Sequence, residues 1–420
     1  MGRTSLLMVM GYSVALILMG FSLSQVSTRA YENSLVYHDR AVSHSLAASL
    51  ANMGCNVIYR TPNAFPKWTN VSLGGGIVNL NTKTVPGIAA PGSPTPVNVQ
   101  LMATSDYGGY KDTVIIEWGV SSFGRFAYYS GTEGAINWAT ADTVFGPFHT
   151  QDKMTVNGSP VFWGKVTNKL GLIKNPTSST PKFFGGYQTG IDIPMPSDFN
   201  PLKNAALANG KYLSARNLKN GKDLTLTFNS DSTMTIKGLR LTDTTATDTI
   251  VSLRTFVPNG ALVIDTANVR IKGKFAGTLT LSVQSGGSSG KGKMYLDSSV
   301  AYVSNPLNGA SGDVLGLCAT DSIVITNNSN NSGNVTIQAA LFSLNKGLGV
   351  EQYNNGVIRG RINLLGGISQ KQRAAVGTLS GGVINSGFSK SYRYDNRLMT
   401  QSPPFYPTTG SYMILSWYER

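Results

Sequence analysis

The sequence predicts a mainly β protein with one long amino-terminal α-helix and a β-helix or solenoid-like body; a β-sandwich is the alternative. Three observations carry this prediction. Residues 6–23 are uncharged and mostly apolar. From residue 24 to Ile58 apolar side chains recur at helical spacing without a proline. Beyond residue 61 the chain breaks into short strand-like runs, each followed by Gly, Asn or Ser-Gly.

The apolar segment Leu6 to Leu23 is about long enough to cross a bilayer as a helix. Arg3 precedes it, which keeps the amino end cytoplasmic. The helix then continues as an amphipathic stripe, with Leu35, Val42, Leu46, Leu50, Met53 and Val57 at intervals of seven, four, four, three and four. Pro62 supplies the stop, because the residue before a proline is pushed out of the helical region. A helix from about residue 5 to 58 would be on the order of 80 Å long. Within its apolar part Gly11, Ala15, Gly20 and Ser24 are small, and small side chains let helix backbones approach closely. Leu6, Leu7, Gly11, Ala15, Leu18, Gly20, Leu35, Val42, Leu46 and Leu50 are therefore the candidate membrane and assembly residues.

This amino-terminal pattern resembles the type IV pilin class, including minor pilins and pseudopilins. The carrying features are Gly2 before Arg3-Thr-Ser-Leu-Leu7, then the apolar stretch, then the amphipathic half. The resemblance implies processing after Gly2, insertion in the inner membrane, and later assembly with pilin-like partners or copies of the chain. Two features depart from the class. Leu7 stands where major pilins have Glu, and the leader would be only Met1-Gly2.

The 420 residues contain 47 glycines, and only 13% are charged, about half the globular average. Glycine and asparagine supply the positive φ that tight turns need. Residues 61–122 read as a small β region, with Thr113-Val-Ile-Ile-Glu-Trp118 as one strand. Residues 123–249 read as a first β-body segment with an irregular insertion of about 60 residues that includes residues 183–196. Residues 250–420 read as a solenoid-like segment, closed by a strand from Tyr412 to Tyr418 that caps it. The rhythm apolar-x-apolar-x-Gly, as in Val269-Arg-Ile271-Lys-Gly273, suits stacked coils with inward apolar ladders.

The body also resembles an uncharacterised bacterial envelope family found with pilin-like amino termini. The residues that carry this are Trp138-Ala-Thr140, Gly146-Pro-Phe-His-Thr150, Gly158-Ser-Pro160-Val-Phe162 and Gly164-Lys-Val166-Thr167. Further on they are Asp313 to Leu317, Tyr392-Arg-Tyr-Asp395, Arg397-Leu398 and Pro403-Pro-Phe405. This resemblance implies architecture and location rather than chemistry.

Candidate chemistry is sparse. Gly146, Pro147, His149 and Thr150 form a motif that tempts a catalytic reading, but neighbours in a strand face opposite sides, so His149 and Thr150 diverge. His149 is expected to be structural, bonded to a buried backbone group. The 21 acidic residues are mostly isolated, which disfavours the paired carboxylates of a glycosidase. No catalytic residue, cofactor or metal ligand is expected. Cys55 and Cys318 are too few for a disulfide framework, and whether they pair is open. The net charge of +14 comes from scattered cations, which suits an ordinary soluble basic surface; of polyanionic partners, an anionic surface or glycan fits better than nucleic acid. The resulting expectation is a structural, adhesive subunit of a surface filament in the cell envelope. The alternatives are a single-pass membrane-anchored binding protein for anionic glycans and, third, a β-helix enzyme that degrades polysaccharides.

Overall fold

The computed structural model describes residues 2–61, 64–86, 97–140, 142–214, 217–218, 223–240, 246–380 and 383–420. These residues form two compact units. The first takes in Met1–Val85, Val97–Gly119 and Tyr412–Arg420, and the second is built mainly on Val120–Ser411.

In the first unit one helix, α1 (Gly2–Arg60), runs for 59 residues. At 1.5 Å per residue this is about 89 Å. Pro62, the expected stop, lies outside the described residues. The carboxyl half of α1 lies on a five-stranded sheet. The strands β1 (Trp68–Leu73), β2 (Gly76–Pro86), β3 (Val97–Tyr107) and β4 (Tyr110–Ser122) follow one another across it, and the strand Thr408–Glu419 joins the far edge of β4. Thr113 and Arg420 exchange backbone bonds of 3.3 and 2.9 Å. The last strand thus completes this small sheet and does not cap the solenoid, a correction to the sequence-based expectation. A single strand carries no signal for which edge it will join. The hairpins β1–β2 and β3–β4 turn on Gly74-Gly75 and Gly108-Gly109. All four glycines have positive φ, as two-residue hairpin loops of this twist require.

Val78, Leu80, Val99, Leu101, Ala103, Val114 and Ile116 alternate onto the sheet face that α1 covers. From the helix come Ser43, Leu46, Ala47, Leu50, Ala51, Gly54 and Ile58. This stripe differs from the expected one: Leu46 and Leu50 belong to it, whereas Met53 is half-exposed. The reason is close approach. A Cβ on Gly54 would stand 2.7 Å from Leu101 Cδ1 and 2.9 Å from Leu80 Cδ2, so small residues fill the contact line and a purely apolar search passes over them. Ser43 is buried there, where its hydroxyl donates to the Tyr110 carbonyl at 2.9 Å.

The second unit is the solenoid-like body, not a sandwich. Its principal ladder is parallel throughout. It runs Lys211–Leu213, Ala261–Asp265, Thr278–Gln284, Val314–Ala319, Val335–Ser343 and Ile358–Gln372, then Tyr128–Thr132, Phe148–Thr150, Val166–Asn168 and Tyr187–Thr189. Chain order and spatial order therefore differ. The chain enters in mid-stack, climbs four coils to Thr189, and crosses back to the far end. It then climbs again until Ile368 pairs beside Tyr128.

Register makes two continuous rows along this ladder. The inward row reads Leu262, Leu281, Leu317, Leu341, Ile368, Tyr128, Phe148, Val166 and Tyr187. The outward row, one residue on, reads Val263, Ser282, Cys318, Phe342, Ser369, Tyr129, His149, Thr167 and Gln188. Most of the outward row is buried as well, because the crossing segment lies over part of it and Phe123 and Tyr406 also cover Phe342. Tyr129 Oη donates to the Ile193 carbonyl at 2.7 Å, and Phe199 packs on Phe342. The short helix α2 (Asn200–Asn209) then covers Ala261–Asp265 and places Lys203 2.9 Å from Asp265. Strands buried on both faces read as continuous apolar runs. Much of the segment expected to be an irregular insertion is itself coil, with strands Lys182–Phe183 and Tyr187–Thr189; the crossing occupies residues 190–210. The expected division at residue 250 falls inside the strand Ala246–Ser252.

Candidate functional site

The amino-terminal half of α1 is the clearest candidate. Its most apolar 18-residue window has a mean hydropathy of 2.1, and none of that window is buried. Leu6, Leu7, Leu18 and their neighbours stand open. Burying one such side chain is worth about 1.5–3 kcal/mol, so a row of them calls for lipid or a partner. Among the described residues nothing lies within 4 Å of a Cβ built on Gly11 or Gly20. At 100° per residue, Gly11 and Ala15 lie on one side of the helix, while Gly20 and Ser24 lie about 180° away. The small residues are thus two separate pairs, each at i, i+4, and not one stripe. Val42, Leu46 and Leu50 belong instead to the packing on the sheet, and Leu35 is exposed.

The motif around His149 sits in the body. Phe148, His149 and Thr150 form one fully buried strand. Gly146 has φ 137°, and a Cβ there would stand 2.6 Å from Tyr394 Cβ. The Pro147 carbonyl accepts from the Ala127 N–H at 2.8 Å and so ties the coil to its neighbour. Thr150 Oγ1 lies 2.8 Å from Ser130 Oγ, inside the coil. His149 faces the other way, stacked on Tyr129 with ring centroids 5.3 Å apart. Its Nδ1 lies 2.8 Å from Thr167 Oγ1, so the partner is a hydroxyl and not the expected backbone group. That difference follows from register, since His149 and Thr167 are opposite one another on adjacent coils. Nε2 has no hydrogen-bond partner among the described residues.

Burial lowers the His149 imidazole to about 4. An unfolded chain titrates near 6.5, so between these values only the unfolded form takes up the proton. Stability should fall as pH drops from about 6.5 to about 4, by roughly 3 kcal/mol in all from this group. Urea midpoints at pH 7, 5.5 and 4 measure it. His149→Phe keeps the stack and removes the titration, and an equally steep acid slope in that variant would assign the loss to other groups.

Sequence reasoning missed a buried ionic cluster at the junction where Tyr128–Thr132 meets Ile358–Gln372. Arg373 Nη1 lies 3.0 Å from Glu133 Oε2, and both side chains are buried. Trp138 Nε1 donates to the same carboxylate at 2.8 Å, and the Arg373 guanidinium sits 4.0 Å over the Trp138 ring. Asp142 stands 3.5 Å from Lys390 and 4.0 Å from Arg373. Arg373 N donates to the Thr132 carbonyl at 2.9 Å, which closes the junction. The adjoining cavity measures about 20 Å³, room for one water and far short of a substrate pocket. Trp138 stands in the run Trp138-Ala-Thr140 singled out in the sequence, but nothing there marks Arg373 as its partner.

Cys55 and Cys318 are free thiols, one in each unit. Burial pushes Cys55 up to about 11 and raises Cys318 as well, which keeps both protonated and unreactive. Among the described residues no group of three or more His, Cys, Asp or Glu is placed to hold a metal ion.

No protein-family model and no curated protein matches the chain. Among solved structures it is similar to the competence-associated pilin ComZ from Thermus thermophilus. The identity is 13%, the match covers 94% of this chain and 96% of that one, and the TM-score is 0.36. A TM-score this low does not equate the two folds.

Proposed function

We propose that the chain is a structural subunit of a pilin-like surface filament in the cell envelope. The apolar third of α1 is held in the inner membrane first and then packs against copies of the chain or pilin-like partners. The β-rich remainder is the exposed, adhesive part. The supporting observation is the pair of small-residue faces on opposite sides of a bare apolar helix. One face would suit a closed dimer. Two faces, each meeting a different neighbour, suit open head-to-tail assembly.

Gly11→Leu tests this directly. Leucine fits lipid, and a Cβ at Gly11 meets nothing within 4 Å among the described residues, so membrane insertion should be unchanged. Filament or oligomer yield, measured by electron microscopy of sheared surface material, should fall at least tenfold. Normal yield would leave α1 as a single-pass anchor for an envelope binding protein.

A further inference from the structure

The corner of the first coils carries a feature that neither assembly nor packing uses. The strands Thr143–Val144, Val161–Phe162 and Lys182–Phe183 pair in parallel and in register. The residues that follow them, Phe145, Trp163 and Phe184, stack outside the coil on successive turns. Centroids are 6.2 Å apart at 7° between Phe145 and Trp163, and 4.4 Å apart at 19° between Trp163 and Phe184. The three are 49%, 51% and 59% exposed, while the rings one residue earlier in the last two strands, Phe162 and Phe183, turn inward and stack on each other.

Cations frame this ladder. Arg393 is bridged to Phe145 from the adjacent strand and is exposed. Lys182 lies two residues before Phe184, hence on the same side of its strand. Residues 153–191 contain five lysines and no acid. Lys169 is ion-paired with Asp192, whereas Lys182 and Arg393 have no ion pair among the described residues. Two residues before Val161 and Lys182 come Ser159 and Thr180, whose hydroxyls lie 2.7 Å apart and are exposed.

We propose that this face binds an acidic polysaccharide laid along the stack axis, whether or not α1 builds a filament. Stacked rings cover each other's faces and present their edges. An aromatic edge is the positive part of the ring quadrupole, so it favours oxygen-rich, anionic ligands, as the flanking cations do. A single-stranded nucleic acid needs open ring faces for its bases, and in this stack the inner faces are taken. The hydroxyl pair supplies donors and acceptors for sugar hydroxyls.

The test uses the full chain in detergent micelles, with polygalacturonate, neutral dextran and a thymidine oligonucleotide as immobilised probes. Polygalacturonate should bind, dextran should not, and binding should weaken at least tenfold between 20 and about 500 mM salt, because exposed charges are screened. Trp163→Ala should weaken it at least tenfold. The double variant Lys182→Gln and Arg393→Gln, which alters only exposed groups, should do the same at an unchanged melting temperature. No polygalacturonate binding, equal binding by these variants, or tighter binding of the oligonucleotide overturns the proposal. So does loss of self-association in Trp163→Ala, which would make the ladder a contact between copies. Filament yield is read separately with Gly11→Leu.

Discussion

Arg373→Ala should cost about 3–5 kcal/mol, because it strands the buried Glu133 carboxylate without its cation. The loss should appear as a lower urea midpoint of the full chain. Limited proteolysis should cut first between residues 132 and 142, the loop that the guanidinium ties to the end of the strand Ile358–Gln372 through Glu133 and the Ile136 carbonyl. Exposed Arg361→Ala should change stability by no more than about 0.5 kcal/mol. The double variant Arg373→Met with Glu133→Gln removes both charges and should recover much of the loss. If Arg373→Ala were as stable as the parent, the ion pair would not hold the junction.

Gly164→Ala should be as damaging for a different reason. A Cβ at Gly164 would stand 2.1 Å from the Gly146 carbonyl oxygen and 2.2 Å from its carbon. Both atoms are backbone, so no side chain can move aside and the coils themselves must separate. Gly185 repeats the contact one coil on, 2.3 Å from the Gly164 carbonyl carbon. A loss of roughly 4 kcal/mol or more is expected, at the top of the range for single substitutions. Hydrogen exchange should show residues 143–189 opening before the rest of the body. Uniform protection in the variant would contradict this account.

The long helix was legible because its signals are local: an uncharged apolar run, helical spacing and a proline beyond the end. The rhythm of the body was legible for the same reason, since each short strand and its glycine are neighbours in sequence. Coil order was not. Parallel pairing leaves no local trace of which strand lies beside which, so nothing announced that Ile368 would sit beside Tyr128. The Arg373–Glu133 pair depends on that order and was hidden with it. In α1 the buried stripe departs from the apolar spacing for a steric reason, because Gly54 and Ala51 do the packing that the spacing of large apolar residues gives to Met53.

Coil order also bears on how the body is completed during synthesis. The four coils from Tyr128 to Thr189 emerge early, yet their inner neighbour, Ile358–Gln372, emerges more than 160 residues after Thr189. Until then the open edge of Tyr128–Thr132 is a template for any passing strand. Contacts so distant along the chain also slow folding, because their loop-closure entropy is lost before stacking rewards it. The strand Ile358–Gln372 is therefore a keystone. A chain truncated before Ile358 would retain the makings of two half-stacks and nothing to join them. A body built this way depends on protection of its early coils until its carboxyl third arrives.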